Sequence, residues 1–313
     1  MLHRPFSFFT EQALVWIIRI LKPDIIHSLE IQHAGYLTLR MHDIIGRNFP
    51  VWIATNWGSD IYLFGKLPEH QQLIRGVLES CDYYSCECER DVQLARDMGF
   101  QGKVLPVLPN AGGIPIEYEM SFRQPGPVSQ RKTIVLKGYQ NWAGRALVAF
   151  QAFRLCQDAL QGYTINIYSA GEDVKIAAQL FTLETSIPVK IIQSGSHEEI
   201  LEIFGKARIY IGLSISDGIS TSLLESMVMG AFPIQSCTAC ADEWIEDGKS
   251  GFIVPPEESY AIADAIRKAL TNDILVDRAA EINAQAVAER LDYSIIQAQV
   301  IKIYRDIYDS RKE

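Results

Sequence analysis

Asp217 and Glu225 stand eight positions apart in SDGISTSLLESMVMGAFPI (216–234), with Ser220, Thr221 and Ser222 between them. Ser and Thr cap the first free amides of a helix, which places a helix start near Thr221 and Ser222. Gly230 takes the left-handed turn that closes it. Asp217 then lies in the loop before the helix and Glu225 about one turn in, both able to face one mouth. Bare helix amides at the positive end of the dipole suit a phosphate or pyrophosphate. A carboxylate beside phosphates needs another task, and an ionised carboxylate only accepts hydrogen bonds. Accepting from the vicinal hydroxyls of a ribose is such a task for Glu225, and Asp217 could do likewise for a sugar beyond the phosphates. On spacing alone a second reading stands beside this one: Asp217-Gly218 as a turn, Ser-Thr-Ser as a cap, and Glu225 as the partner of a basic residue.

These residues need a scaffold. The 313-residue chain is 48% hydrophobic and 21% charged, enough for two domains with cores of their own. Short β-rich runs alternate with helical patterns. The strand candidates are PDIIHSL, VWIAT, YYSCE and VLPVLP, then TIVLKG, TINIYSA, VKIIQS, ARIYIGLS, AFPIQS and GFIVP. That order predicts parallel sheets wrapped by helices in both halves. The polar, proline-rich stretch 117–132, with Pro125-Gly126-Pro127 at its centre, reads as a linker. The expected division is 1–118, a linker over 119–131, 132–290, and a C-terminal helix over 291–313 that crosses back to the first domain. Two such domains face a cleft, with ligands at the carboxyl ends of the strands.

Composition and missing motifs exclude several classes. The formal charge is −9 with Lys and Arg scattered, so a nucleic-acid footprint is absent. No G-x-G-x-x-G and no P-loop motif occurs. The apolar run 14–21 carries Arg19 and is too short to span a bilayer; it reads as a helix packed on a sheet, with an interfacial membrane helix as the alternative. A secretory signal is not apparent, and the expected location is the cytoplasm, with peripheral attachment at the inner membrane face as the variant. Six cysteines include Cys86-x-Cys88 and Cys237-x-x-Cys240, but these spacings argue for reduced thiols rather than a metal or redox site.

The segment around the two acids resembles the E-x7-E region of retaining glycosyltransferases of the GT-B fold, glycosyltransferase family 4 or group 1. Asp217 takes the place of the first acid and Glu225 of the second. The resemblance continues through Gly230-Ala-Phe-Pro233 and EWIEDGKSGFIVPP (243–256), and upstream through SHEEILEIFGKARIYIGLS. It implies an α/β GT-B fold of two Rossmann-like domains and a nucleotide-sugar substrate. Glu225 would bind the donor ribose and Asp217 the transferred sugar. Gly218, Ile219, Ser220, Thr221, Ser222, Leu223 and Gly138 would line the donor site. The family's basic pair against the diphosphate corresponds to Lys137 and Arg145, although their order departs from the usual one. Two cations would offset the charge of the leaving group; a surface lysine and arginine at a helix entry are the alternative.

The first half resembles the family more thinly. Trp57 stands where a His often precedes Gly in the family's turn. His33 is a candidate to touch the donor or acceptor sugar, or else satisfies a local hydrogen bond. Asp60 is a cleft-facing acid on the acceptor side or a helix cap. Asn110 shapes the turn that follows. The PDIIH strand begins at Asp24, earlier than in the family, so a shortened N-terminal domain is expected, or a start upstream of Met1.

The resemblance implies hexosyl transfer with retention, UDP-glucose being the commonest family donor, to a glycan or lipid-linked acceptor in polysaccharide or glycoconjugate synthesis. The expected mechanism is departure of the nucleotide diphosphate against Lys137, Arg145 and the helix amides, without a metal or other cofactor. A nucleotide-sugar-binding subunit or pseudoenzyme is the rival from another class. A GT-B nucleotide-sugar epimerase is a second.

Overall fold

The computed structural model describes residues 6–193 and 195–311. The chain divides into two compact units, one of residues 1–110 and 298–313 and the other of residues 111–297.

Among the described residues of the first unit, four parallel strands lie in sequence order: β1 (Ile25–Leu29), β2 (Val51–Thr55), β3 (Tyr83–Ser85) and β4 (Lys103–Val104). Ile25 is in register with Val51, and Ile53 with Tyr83. The last strand is shorter than the run VLPVLP suggests. Pro106 and Pro109 offer no N–H to a ladder, and the main chain continues with the isolated bonds Leu105 N to Tyr84 O (2.8 Å) and Leu108 N to Cys86 O (3.3 Å). One sheet face packs Trp52, Ala54 and Tyr84 against Ile74, Val77 and Phe100. The other packs Ile53 and Leu105 against Ile303 and Ile307 of the C-terminal helix Tyr293–Ser310. Within this unit Tyr304 Oη lies 2.5 Å from His27 Nδ1, and Arg311 pairs with Asp24. The last two residues of the predicted 291–313 segment lie outside the described residues.

The helix Phe6–Leu21 packs on the helix Tyr36–Ile45 rather than flat on the sheet. Val15 is buried, while Trp16 (65% exposed) and Leu21 (71%) face out. No helix of the described residues is long and apolar enough to cross a membrane.

The second unit holds six parallel strands among the described residues: β5 (Thr133–Lys137), β6 (Thr164–Tyr168), β7 (Val189–Ile192), β8 (Ala207–Gly212), β9 (Phe232–Ser236) and β10 (Phe252–Val254). Their order is β10-β9-β8-β5-β6-β7. All six predicted runs form strands. Both faces are covered: Ile134, Leu136, Ile209 and Ile211 enter one core, and Val135, Ala207 and Tyr210 the other. A strand buried on both sides reads as a continuous apolar run, which is how ARIYIG appears.

The order matters for function. From β5 the chain moves outward to β6 and β7, then returns to place β8 on the other side of β5. The connections at the carboxyl ends of β5 and β8 therefore leave in opposite directions and open a crevice between them.

Residues 119–131, expected as a linker, carry structure within this second unit. They begin in the helix Ile116–Met120 and end in a single turn, Val128–Gln130. Arg131 is almost wholly buried, and its guanidinium donates to the carbonyls of Ala207 (3.0 Å), Met229 (2.9 Å) and Gln124 (3.1 Å). Arg208 does similar work opposite, donating to Ala269 and Leu270 carbonyls and pairing with Asp273 at 2.7 Å. A charged residue is seldom buried unless it is paired in this way, so composition alone hides it. Replacing Arg131 by Met strands three carbonyls without their donor. Chemical denaturation should show a loss of roughly 3 kcal/mol or more, with an unchanged slope against denaturant. Lys, which can reach only part of the set, should fall between.

Candidate functional site

The site forms at the β5/β8 switch point of the second unit. Lys137 ends β5, and the 213–220 loop follows β8. Lys137 Nζ lies 3.4 Å from Ser220 Oγ and 4.7 Å from the centre of the Tyr139 ring. Burial works against its charge, but Tyr210, Asp217, Tyr139 and Glu225 around it outweigh that and hold the ammonium above its ordinary pKa. The structure thus brings Lys137, Asp217, Ser220 and Glu225 together.

The helix following the loop spans Thr221–Val228, and Gly230 takes φ 77°, as the sequence suggests. Its N-cap differs from expectation. Ser220 occupies the cap position, yet its side chain does not cap, and its hydroxyl faces Lys137 instead. The first amides of a helix have no partner within the helix, so those of Thr221 and Ser222 stay available to a ligand. Asp217 Oδ1 accepts from Gly218 N at 3.0 Å, shaping the turn. Ile219 and Leu223, assigned to the donor site from the resemblance, send their side chains into the core and can offer only main chain.

Gly138, assigned to the donor site from the resemblance, and Gly144 are each required by packing. A Cβ on Gly138 would meet Tyr168 O at 2.8 Å and the Ala170 Cα at 2.9 Å, and one on Gly144 would overlap the Tyr139 main chain. Each glycine lets neighbouring main chain close up. Arg145 also departs from expectation. Its Nε lies 2.7 Å from Glu257 Oε1, and its Nη1 donates to the carbonyl of Gly144 at 2.9 Å. The guanidinium is folded onto its own loop, where Asn141 Oδ1 also accepts from Ala143 and Gly144.

Glu225 is buried and its Oε1 accepts from His197 Nε2 at 2.7 Å. Glu119 comes close from the helix Ile116–Met120; one ligand atom from each of Glu119, His197 and Glu225 lies within 4.8 Å of the others. Burial, then the Glu225 charge, pushes the Glu119 carboxyl up to about 7. Burial also raises Glu225, against the hydrogen bond and charge of His197. For His197, burial is outweighed by the hydrogen bond to Glu225 and the nearby carboxylates, which raise it. Sequence reasoning missed Glu119 and His197. The one sits in a polar stretch read as linker, and the other follows a capping serine with nothing local to mark it.

Two cavities adjoin Glu225. The larger, about 820 Å³, is lined by Tyr168, Ser169, Gln193, Thr221, Ser222 and Glu225. The smaller, about 290 Å³, is lined by Gly113, Tyr118, Glu119, His197, Thr221 and Glu225. Thr221 and Glu225 form a wall common to both.

The remaining predicted residues belong to the first unit. His33 is 93% exposed at its side chain and is held by Glu30, 3.1 Å from its Nδ1. Trp57 is half-exposed. Asp60 is buried, and its Oδ2 accepts from the amides of Ile31 (3.0 Å) and Trp57 (3.2 Å), so it ties two loops together. Asn110 Nδ2 donates to Asn56 O at 2.9 Å.

A family model for glycosyl transferases group 1 matches residues 121–286, more than half of the chain. The chain belongs to this family. A second model, glycosyl transferase 4-like, matches residues 2–86 of the same group 1 chain. A phosphatidyl-myo-inositol mannosyltransferase of Mycobacterium leprae (strain TN) is 33% identical over 88 residues, which are 28% of this chain and 23% of that relative. The alignment therefore spans under a quarter of the relative's length. Among solved structures, a glycosyltransferase from Rickettsia africae ESF-5 is similar with a TM-score of 0.74 at 16% identity, covering 97% of this chain and 82% of that one. Anabaena Alr3699/HepE, solved in complex with UDP-glucose, has a TM-score of 0.74 at 14% identity, covering 97% and 84%. At such identities these likenesses show the fold, which is GT-B.

Asp60 gives this group 1 protein a pH-dependent stability. Burial, opposed by the two amides, pushes its carboxyl from the unfolded value of 3.8 up to about 6. A carboxyl with a raised folded pKa contributes stability at low pH and loses it as pH rises through the folded value. Asp60→Asn keeps an acceptor for the amides without the charge. The stability of wild type relative to this variant should fall by up to about 3 kcal/mol between pH 4 and pH 7, read from denaturation midpoints.

Proposed function

We propose that the protein is a hexosyltransferase that moves glucose, or a related hexose, from a UDP-sugar to a hydroxyl of a glycan or lipid-linked acceptor with retention of configuration. One observation carries this reading. Glu225 lines one cavity together with Thr221 and Ser222, whose amides are uncapped, and Lys137 lies against the adjoining Ser220 at the switch point of a parallel sheet. A nucleoside diphosphate asks for that combination: acceptors for a ribose diol, donors for phosphates, and a cation for the leaving charge. The bound UDP-glucose of the Anabaena structure supports the choice of donor.

In this mechanism Glu225, steadied by His197, accepts from both ribose hydroxyls. The diphosphate rests on the amides of Thr221 and Ser222, with the hydroxyls of Ser220 and Ser222 beside them. Lys137 neutralises charge as the bond to the anomeric carbon breaks. This stabilisation grows toward the transition state and so acts on turnover rather than binding alone. Asp217 contacts the sugar hydroxyls. The acceptor attacks the face the diphosphate leaves, and its proton passes to the departing phosphate oxygen. Arg145 joins only after exchanging Glu257 for phosphate. Lys137 and the helix amides supply the charge compensation that a metal gives elsewhere, so transfer proceeds without one.

Calorimetric titration with UDP tests the site. Glu225→Ala removes two hydrogen bonds to a charged group and should cost on the order of 2–4 kcal/mol, roughly 30- to 1000-fold in Kd. Lys137→Met should slow release of UDP from UDP-glucose by about 10²–10³-fold with a smaller change in UDP affinity. Equal UDP binding by wild type and Glu225→Ala would refute the donor site. Tight UDP binding with no turnover over a panel of acceptors would turn the reading to a nucleotide-sugar-binding subunit.

A further inference from the structure

We infer that Glu119, His197 and Glu225 form a binding site for a zinc-like divalent cation, and that the cation and a nucleotide exclude each other at Glu225. The three side chains come from separate elements: the helix Ile116–Met120, the start of the helix His197–Gly205, and the helix Thr221–Val228. One imidazole nitrogen and two carboxylate oxygens lie within 4.8 Å of one another. A second observation points to a ligand independently of that clustering. Glu119 is only 3% exposed, and among the described residues its Oε2 is enclosed with no hydrogen-bond partner. A buried carboxylate oxygen with nothing to accept from is costly to keep, and a cation would satisfy it.

The donor set selects the ion. One nitrogen with two carboxylates is a borderline-soft set suited to zinc, with one coordination position left open. Magnesium and calcium take more oxygens and avoid imidazole. The smaller cavity, about 290 Å³ and lined by the same three residues, leaves room for water in the open position. His197 Nε2 would become the metal ligand, its proton moving to Nδ1 or to solvent. His197 is half-exposed at its side chain, so the ring can shift by the small amount that coordination asks.

Exclusion follows from the common wall. Glu225 faces both cavities, and a carboxylate drawn to the ion no longer accepts from a ribose. This second half rests on the proposed donor site; the cation site does not. The ion would then be an antagonist of donor binding, not a participant in transfer.

The test uses the full chain carrying Cys237→Ser, which removes an exposed thiol that would bind zinc on its own account. Zinc is titrated calorimetrically into nucleotide-free protein, with magnesium as comparison. The expected result is a zinc-binding event of one ion per chain that is weakened at least tenfold by Glu119→Gln and by His197→Gln, apart from any zinc taken by Cys88, Cys240 and Glu243, with magnesium at least a hundredfold weaker. No stoichiometric zinc binding, or binding indifferent to both substitutions, would overturn the site and leave a proton as the only occupant between the carboxylates. UDP titration at buffered free zinc then tests exclusion. Zinc should weaken UDP binding by wild type but not by Glu119→Gln; chelation of UDP in solution affects both alike. If zinc binds and UDP affinity does not respond, exclusion fails while the cation site stands. Failure of UDP to bind even without zinc would instead strike the proposed donor site.

Discussion

The chemistry of the second unit depends on a constraint of chain path. Two adjacent parallel strands, β5 and β8, send their connections to opposite sides, and a parallel sheet leaves a crevice only where that happens. Lys137 is at this point because it ends β5. The 213–220 loop is there because β8 ends beside it, and the Thr221–Val228 helix presents its amides there because it must start where that loop stops. None of these groups could be moved by a single residue without turning to the other face of a sheet or rotating about 100° on a helix.

Around that point the protein keeps its donors and acceptors unspent. Ser220 has the right residue type and position to cap the helix, but its hydroxyl is turned to Lys137. A capped helix would be more stable by about 1 kcal/mol and would have fewer amides to offer. Glu225 is treated the opposite way: His197 holds one oxygen in place and burial keeps the side chain from wandering. The open amides and the steadied carboxylate have the same effect, since neither has to be rearranged when a ligand arrives.

Much of this could be read before the fold was known, and the reasons differ by residue. The strands of the second unit are buried on both faces, so each is an unbroken apolar run with turns at its ends. Asp217, Ser220, Thr221 and Glu225 are within one short segment, where helix periodicity and capping rules suffice to place them. Arg145 and Gly138 were legible as positions but not as contacts: Glu257 lies far along the chain, and the space beside Gly138 is filled by β6 and the residues after it. Glu119, His197 and Arg131 were hidden altogether. Each has a polar side chain in a polar neighbourhood of sequence; only long-range packing buries Glu119 and Arg131 and brings the half-exposed His197 against Glu225. Asp60 was open between a cap and an acid of the site, and the amides of Ile31 and Trp57 show what it holds.

The helix Tyr293–Ser310 closes the first unit from the far end of the chain. Ile303 and Ile307 cover the sheet face made by Ile25, Val51, Ile53, Tyr83 and Leu105. During synthesis those strands leave the ribosome before the whole second unit, and the side chains that shield them emerge only after it. Until Ile303 and Ile307 are made the first unit is an unfinished sandwich with one apolar face bare, while the second unit, continuous in sequence, can complete itself. The first unit therefore completes its second face only after the whole second unit has been made, and a ribosome that stalls between residues 110 and 303 releases strands that were never covered.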